Sequence, residues 1–167
     1  MQARMKNPAM ILPDVTQAVF ALVGALKNTG APAGILALTH LRASQINGCS
    51  VCVDMGWKEL KHLGESEKRI MSVAAWHDAP YFTEAERAAL ALAEAATRLS
   101  DRSDPVPDDI WNEAAQHYDE KTLAAIVVNI ALTNFFNRIN VTTRQVAGEW
   151  GKTAETQESE EAAVASR

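Results

Sequence analysis

The chain has 167 residues, 47% of them hydrophobic, and a formal net charge of −5, enough to bury one substantial core. An acidic pI near 5.4 and the lack of any Lys/Arg stripe argue against a nucleic-acid or anionic-membrane partner. The most apolar stretch, residues 122–136, is interrupted by Asn129 and Asn134 and falls short of the roughly 20 residues of a membrane span. Arg4 and Lys6 are followed by Pro8, Pro13 and Asp14 rather than by the apolar run of a leader, so the expectation is a cytoplasmic protein without a membrane partner.

Periodicity and punctuation predict about seven helices and no alternating strand, hence an all-α fold. Val15, Ala18, Val19, Leu22, Val23 and Leu26 give a helix over 14–27, stopped at Asn28-Thr29-Gly30. Pro32 opens a second helix that runs to Asn47-Gly48, with Ile35, Leu38, Leu41 and Ile46 as its stripe. A third begins near Cys49 and stops at Leu63-Gly64. Ser66 caps a fourth through Trp76, and Thr83-x-x-Glu86 forms a capping box for an Ala-rich helix to Leu99. After a loop over 101–107, a short helix runs from Pro107 or Asp108 to Tyr118. A long one follows from Asp119 or Glu120 to about Val146, apolar enough to be the central core helix. Beyond Trp150 the residues are small or polar apart from Val164, which predicts a disordered acidic tail over 151–167. The domain is therefore placed at 10–150, preceded by an N-terminal segment, 1–9.

Cys49 and Cys52 are the only two cysteines. Random placement would set two cysteines three apart in about 1% of cases, so the spacing needs a cause. The break at Asn47-Gly48 puts Cys49 near an N-cap and Cys52 in the first turn of the next helix. The positive end of that helix lowers a thiol pKa from its usual value of about 8.5. One helical turn brings the sulfurs within bonding reach, so Cys49 is placed to close a disulfide onto an oxidised Cys52. In a reducing compartment such a pair points to catalysis. Two other readings stand beside it: small buried hydrophobes, or a zinc site, for which His40 and His62 are the only further ligands nearby.

The run Leu41-Arg42-Ala43-Ser44-Gln45-Ile46-Asn47-Gly48-Cys49-Ser50-Val51-Cys52-Val53-Asp54-Met55 resembles the signature of the alkylhydroperoxidase D-like group within the carboxymuconolactone decarboxylase family. Gly64-Glu65, Ala74-Ala75-Trp76, Pro80-Tyr81-Phe82-Thr83, Glu86-Arg87-Ala88-Ala89-Leu90 and the Asn-Arg segment 134–144 extend the resemblance over about residues 10–148. The resemblance implies an all-helical subunit without a bound cofactor that forms homo-oligomers, commonly dimers, trimers or hexamers. It also implies reduction of hydroperoxides or disulfides, with Cys52 peroxidatic and Cys49 resolving through a sulfenic acid and a disulfide. The disulfide would be returned to dithiol by a partner dithiol, in the best-known members a lipoyl-bearing protein.

Two positions depart from the family's proton relay, a Glu twelve residues before the first cysteine and a His four after the second. Here they hold Ala37 and Gly56. Positioned acid–base catalysis is worth about 10²–10⁴ in rate, so a replacement matters. His40, one turn after Ala37 on the same face, is the candidate base, with an exposed or interface side chain as the alternative. Gly56 inside a helix makes room either for packing of Trp57, which is favoured, or for a substrate close to the backbone.

His62, His77 and His117 read as solvated surface, and Asp54 and Glu59 as partners of Lys58 or His62. Asn134, Asn137, Arg138 and Asn140, in an apolar helix, predict a structural polar network under the cysteine helix or at a subunit contact. The functional expectation is a thiol-dependent peroxidase or disulfide reductase. The alternatives are a non-catalytic redox sensor or binding oligomer and, less favoured because that branch lacks the cysteine pair, a lactone decarboxylase.

Overall fold

The computed structural model describes residues 2–100 and 102–148, so the predicted tail over 151–167 lies outside the described residues. These residues form eight α-helices and one short 3₁₀ turn, and no strand is present among them. In chain order the helices are α1 (Pro8–Ile11), α2 (Pro13–Lys27), α3 (Ala33–Ile46), α4 (Ser50–His62) and α5 (Glu67–Ser72). After the 3₁₀ turn (Val73–Ala75) come α6 (Glu84–Thr97), α7 (Asp108–His117) and α8 (Glu120–Thr143).

Local chemistry sets most boundaries. Thr83 and Glu86 form the expected reciprocal capping box at α6, and Ser66 and Asp119 cap α5 and α8 by accepting from Arg69 N–H and Thr122 N–H. Where one helix was expected over 66–76, the chain tightens at Val73 into the 3₁₀ turn, burying Val73 and Trp76 against α3. The last helix stops at Thr143 rather than near Val146. Arg144 there adopts a left-handed φ of 54°, and Gln145 N–H returns to the Asn140 carbonyl. The predicted elements did not include α1, a single turn capped by Asn7.

The core lies on both sides of α3. One cluster joins Ile35 to Ala89, Leu92 and Ala93 of α6, Ala114 of α7 and Leu123, Ile126 and Ile130 of α8. The other joins Leu38 and Leu41 to Leu60, Ile70, Val73, Trp76, Phe82 and Leu90. The most enclosed helix is thus α3, not α8 as its composition suggested. Along α8, Val127, Val128, Phe135 and Val141 are exposed. That helix has the length and composition to cross a membrane, but it buries Leu123, Ile126, Ile130, Asn137 and Asn140 within this domain. Of α2, only Leu26 is buried. Its other apolar residues find too little cover in one chain.

Arg42 and Glu94 pair at 2.5 Å between α3 and α6, and Trp76 Nε1 donates to the same carboxylate at 2.8 Å. Arg69 bridges Glu65 and Glu86. Residues 2–7 pack on the end of α8: Arg4 N–H donates to the Thr143 carbonyl at 2.8 Å, and the Arg4 guanidinium to that of Thr142 at 2.9 Å. The segment thereby satisfies carbonyls that the helix end leaves open.

Candidate active site

The turn between α3 and α4 is built by sequence-local hydrogen bonds. Gly48, at φ 66°, lets its N–H reach the Gln45 carbonyl and the Cys49 N–H the Ser44 carbonyl, a paired arrangement that closes α3 and permits α4 to start at once. Cys49 is the N-cap of α4, and its sulfur accepts from the Cys52 N–H at 3.3 Å. Cys52 sits in the first turn, and the two sulfurs are at disulfide distance with the Cα atoms 5.3 Å apart. Both residues are almost completely buried, at 1% and 2% exposure, and pack with Val51 against Phe136 of α8.

A cavity of about 580 Å³ opens beside the pair. Cys52 lines it, whereas Cys49 does not. Phe20, Val23 and Leu26 of α2, Leu36 of α3, and Leu132 and Phe136 of α8 supply apolar wall, while the exposed Lys27 and Glu59 bring charge to its rim, where exposed His62 also lies. His62 is therefore exposed as expected, but beside the cavity. Asp54 pairs with Lys58 at 2.7 Å, and Glu59 faces the cavity instead of joining that surface pair. His77 is exposed, stacked on Trp76, and His117 bonds Glu113 at 3.2 Å.

His40 lies in the same cavity wall. Its Nε2 is 3.1 Å from the Cys52 carbonyl oxygen and its Nδ1 is 3.2 Å from Thr133 Oγ1. A carbonyl only accepts, so Nε2 carries the proton. Burial lowers the His40 pKa, against the raising effects of the Cys52 carbonyl and the Glu59 charge, which keeps the ring neutral, with Nδ1 facing the Thr133 hydroxyl oxygen. That hydroxyl donates its one proton to the Asn129 carbonyl at 2.7 Å. The ring nitrogens thus meet the backbone carbonyl of Cys52 and the side-chain hydroxyl of Thr133, rather than the sulfur.

Gly56 makes room for neither Trp57, which is exposed, nor a passing substrate. A Cβ there would meet His40 Cδ2 at 3.1 Å, Leu41 Cβ at 3.2 Å and Leu41 Cα at 3.3 Å. The absent side chain therefore accommodates the imidazole of His40 and the close approach of α3.

The α8 asparagines form a network beneath the cysteine helix, as expected, and one of them reaches the Cys52 sulfur, whereas Arg138, expected in the same network, is exposed. Asn47 Nδ2 donates to Asn134 Oδ1 at 2.9 Å and to Asn137 Oδ1 at 2.8 Å, tying the α3–α4 turn to α8. Asn137 Nδ2 donates to Ser44 Oγ at 3.2 Å. Asn140 Nδ2 donates to Cys52 Sγ at 3.3 Å, and its Oδ1 accepts from Asn7 Nδ2 at 2.8 Å. Sequence reasoning missed Thr133, Phe136 and the α2 wall, which carry no local signal. The Asn7-Pro8 step is a legible N-cap signal, but it does not disclose the partner on α8.

The model of the carboxymuconolactone decarboxylase family matches residues 13–95, which include the cysteine turn. The uncharacterized protein YdfG of Bacillus subtilis is 36% identical over 104 residues, 62% of this chain and 69% of the relative. The uncharacterized protein YnjA of Escherichia coli is 32% identical over 132 residues, 77% of this chain and 70% of the relative. The chain belongs to the carboxymuconolactone decarboxylase family. A crystal structure of a protein of unknown function from Agrobacterium tumefaciens, with a suggested assignment as the antioxidant defence protein AhpD, superposes with a TM-score of 0.81. It is 36% identical and covers 87% of this chain and 98% of its own. The debrominase Bmp8 shares the fold at a TM-score of 0.72 and 23% identity, covering 81% of this chain and 72% of its own. A cysteine-to-alanine variant of Bmp8 has been solved with 2,3,4-tribromopyrrole. The fold of this family therefore serves enzymes of more than one kind.

Proposed function

We propose that the protein is a thiol-dependent reductase of organic hydroperoxides or disulfides, with Cys52 as the attacking thiolate and Cys49 as the resolving thiol. The observation that carries this reading is the asymmetry of the pair: Cys52, in the first turn of α4, lines the cavity, and Cys49, one turn away at the N-cap, lies behind it. The Cys52 sulfur attacks the distal oxygen of a hydroperoxide, the O–O bond breaks, and Cys52 becomes a sulfenic acid. The thiol proton, held meanwhile by His40, passes to the departing alkoxide to give an alcohol. Attack by the Cys49 thiol on the sulfenic sulfur then forms the disulfide and releases water.

His40 replaces the family's relay from a neighbouring helix, since its ring lies against position 56, where the relay imidazole would be anchored. Nδ1 of the neutral ring faces the Thr133 hydroxyl, 3.2 Å away. The apolar wall suits the hydrocarbon body of an organic hydroperoxide. With both sulfurs buried, the reducing dithiol enters through the cavity, a route open to a slender arm such as that of a lipoyl-bearing protein. Exposed Val127, Val128, Phe135 and Val141 on α8 support a homo-oligomer, a dimer, trimer or hexamer.

The test is the rate of disulfide formation with tert-butyl hydroperoxide over about pH 5 to 9, in the wild type, Cys52→Ser and His40→Ala. Expected are a pH midpoint below about 7.5, loss with Cys52→Ser, and a slower rate with a displaced midpoint for His40→Ala. Repeated turnover with a dithiol is also expected. A midpoint near the ordinary thiol value of about 8.5, or a reaction that stops after one equivalent of peroxide, would replace the enzyme reading with that of a redox sensor.

A further inference from the structure

The amide that donates to Cys52 is oriented from the far end of the chain. Asn7 caps α1, its Oδ1 accepting from the Ala9 N–H at 3.0 Å. A backbone N–H only donates, so the Asn7 amide must present its oxygen to Ala9 and its NH₂ to Asn140. Asn7 Nδ2 donates to Asn140 Oδ1 at 2.8 Å. Asn140 must then turn its own NH₂ away from Asn7 and onto Cys52 Sγ, at 3.3 Å. Asn7 and Asn140 are buried, at 6% and 5% exposure, so bulk water does not compete for these groups. The Arg4 contacts with the Thr142 and Thr143 carbonyls, together with the Gln145 Nε2 bond to the Met5 carbonyl at 2.9 Å, hold the segment in register with this end of α8.

We propose that Asn140 is a catalytic residue that stabilises the Cys52 thiolate, and that Asn7 is the positioning residue that keeps its NH₂ group aimed at the sulfur. This inference rests on the reading of Cys52 as the attacking sulfur. A hydrogen bond made to the charged form of a group favours that form, and a thiolate accepts more strongly than a thiol. The amide thus adds to the effect of the α4 N-terminus, and it does so without a titratable group. The segment before α2 thereby completes the site: residues 133 positions apart in sequence form the chain that ends on the sulfur.

The experiment is a titration of the Cys52 thiolate by ultraviolet absorbance in full-length protein carrying Cys49→Ser, which leaves Cys52 as the single thiol. Asn140→Ala is expected to raise the Cys52 pKa by about one unit, roughly a tenfold loss of thiolate well below the pKa. Asn7→Asp still accepts the Ala9 N–H, but its carboxylate cannot donate to Asn140. The Asn140 amide then turns over and presents oxygen to the sulfur, and the added charge acts in the same direction, so the pKa rises at least as far. Asn7→Ala, which adds no charge and leaves the Asn140 amide free to rotate, gives a smaller rise. Asn134→Ala, which removes a polar contact of the same helix away from the sulfur, leaves the value unchanged. A wild-type pKa near 8.5 would refute the attacking-thiolate reading itself. A depressed wild-type pKa that Asn140→Ala and both Asn7 variants leave in place, or that Asn134→Ala raises equally, would overturn the roles of Asn7 and Asn140 alone. If Asn140→Ala does not fold, the Asn7 variants decide the question in the same way.

Discussion

Gly56→Ala sets two opposing effects against each other, and the structure fixes which prevails. In the middle of α4, Ala is favoured over Gly by about 1 kcal/mol. The new Cβ would stand 3.1 Å from His40 Cδ2, 3.2 Å from Leu41 Cβ and 3.3 Å from Leu41 Cα. The last of these is backbone in the most enclosed helix and cannot withdraw. Overpacking of this kind costs about 1–3 kcal/mol, so the variant should lose about 1 kcal/mol net, or about 2–4 °C in Tm for a chain of this size. Urea unfolding of wild type, Gly56→Ala, His40→Ala and the double variant makes the test specific. If His40 occupies the space at position 56, adding Gly56→Ala to His40→Ala should be less destabilising than adding it to wild type, by about 0.5–1 kcal/mol. A Gly56→Ala variant as stable as wild type would show that the helix propensity prevails and that α3 and α4 are not in tight contact. A loss that is the same with and without the imidazole would refute the placement of His40 against Gly56.

Three further outcomes follow from the same geometry. Burial opposes ionisation of Glu94, but hydrogen bonds from Trp76 and Arg42 and the Arg42 and Arg98 charges outweigh it and hold its pKa below the usual value of 4.5. Its contribution to stability is therefore complete above 4.5 and is lost as pH falls through the lower folded value. Glu94→Gln should cost about 2 kcal/mol at neutral pH, and its unfolding free energy should decline less steeply on acidification than that of wild type in parallel denaturant titrations. For His40 the folded pKa lies below the ordinary 6.5. Below pH 6.5 the unfolded chain binds a proton that the folded ring refuses, so stability falls with pH until the folded value is reached. His40→Ala should remove that component, and imidazole nitrogen shifts should show a neutral ring with the proton on Nε2 at pH 7 in the wild type; a charged ring would contradict the assignment. Arg144 is the one non-glycine residue with positive φ among the described residues, and it is exposed. Arg144→Gly should raise stability by about 0.5–1 kcal/mol, measured by thermal unfolding, because the left-handed region carries no steric penalty for glycine. A loss of stability would mean that the Arg144 side chain contributes more than its backbone conformation costs.

The cysteine turn is written almost entirely in the sequence. Asn47-Gly48 ends α3 because glycine alone takes φ 66° freely, which leaves Cys49 at the N-cap and Cys52 three residues on, and the backbone bonds and sulfur cap that shape this turn span five residues or fewer. The capping box at Thr83 and Glu86 is legible for the same reason: both partners lie within one helical turn. What surrounds the sulfur is not local. Asn140 is 88 residues from Cys52, Asn7 is 133 from Asn140, and Thr133 is 93 from His40. Composition marks the α8 asparagines as polar groups in an apolar helix that must find partners, but not which of them finds the sulfur. Nor does helical periodicity tell Gly56 facing His40 from Gly56 beside Trp57, because that choice depends on how closely α3 approaches α4. The sequence by itself determined the cysteine pair, the helix that carries it and the turn that starts that helix, through interactions within one or two turns of the chain. The tertiary structure alone decided the donor on the sulfur, the imidazole in the wall and the cavity that Cys52 faces, because each depends on packing between helices far apart in the chain.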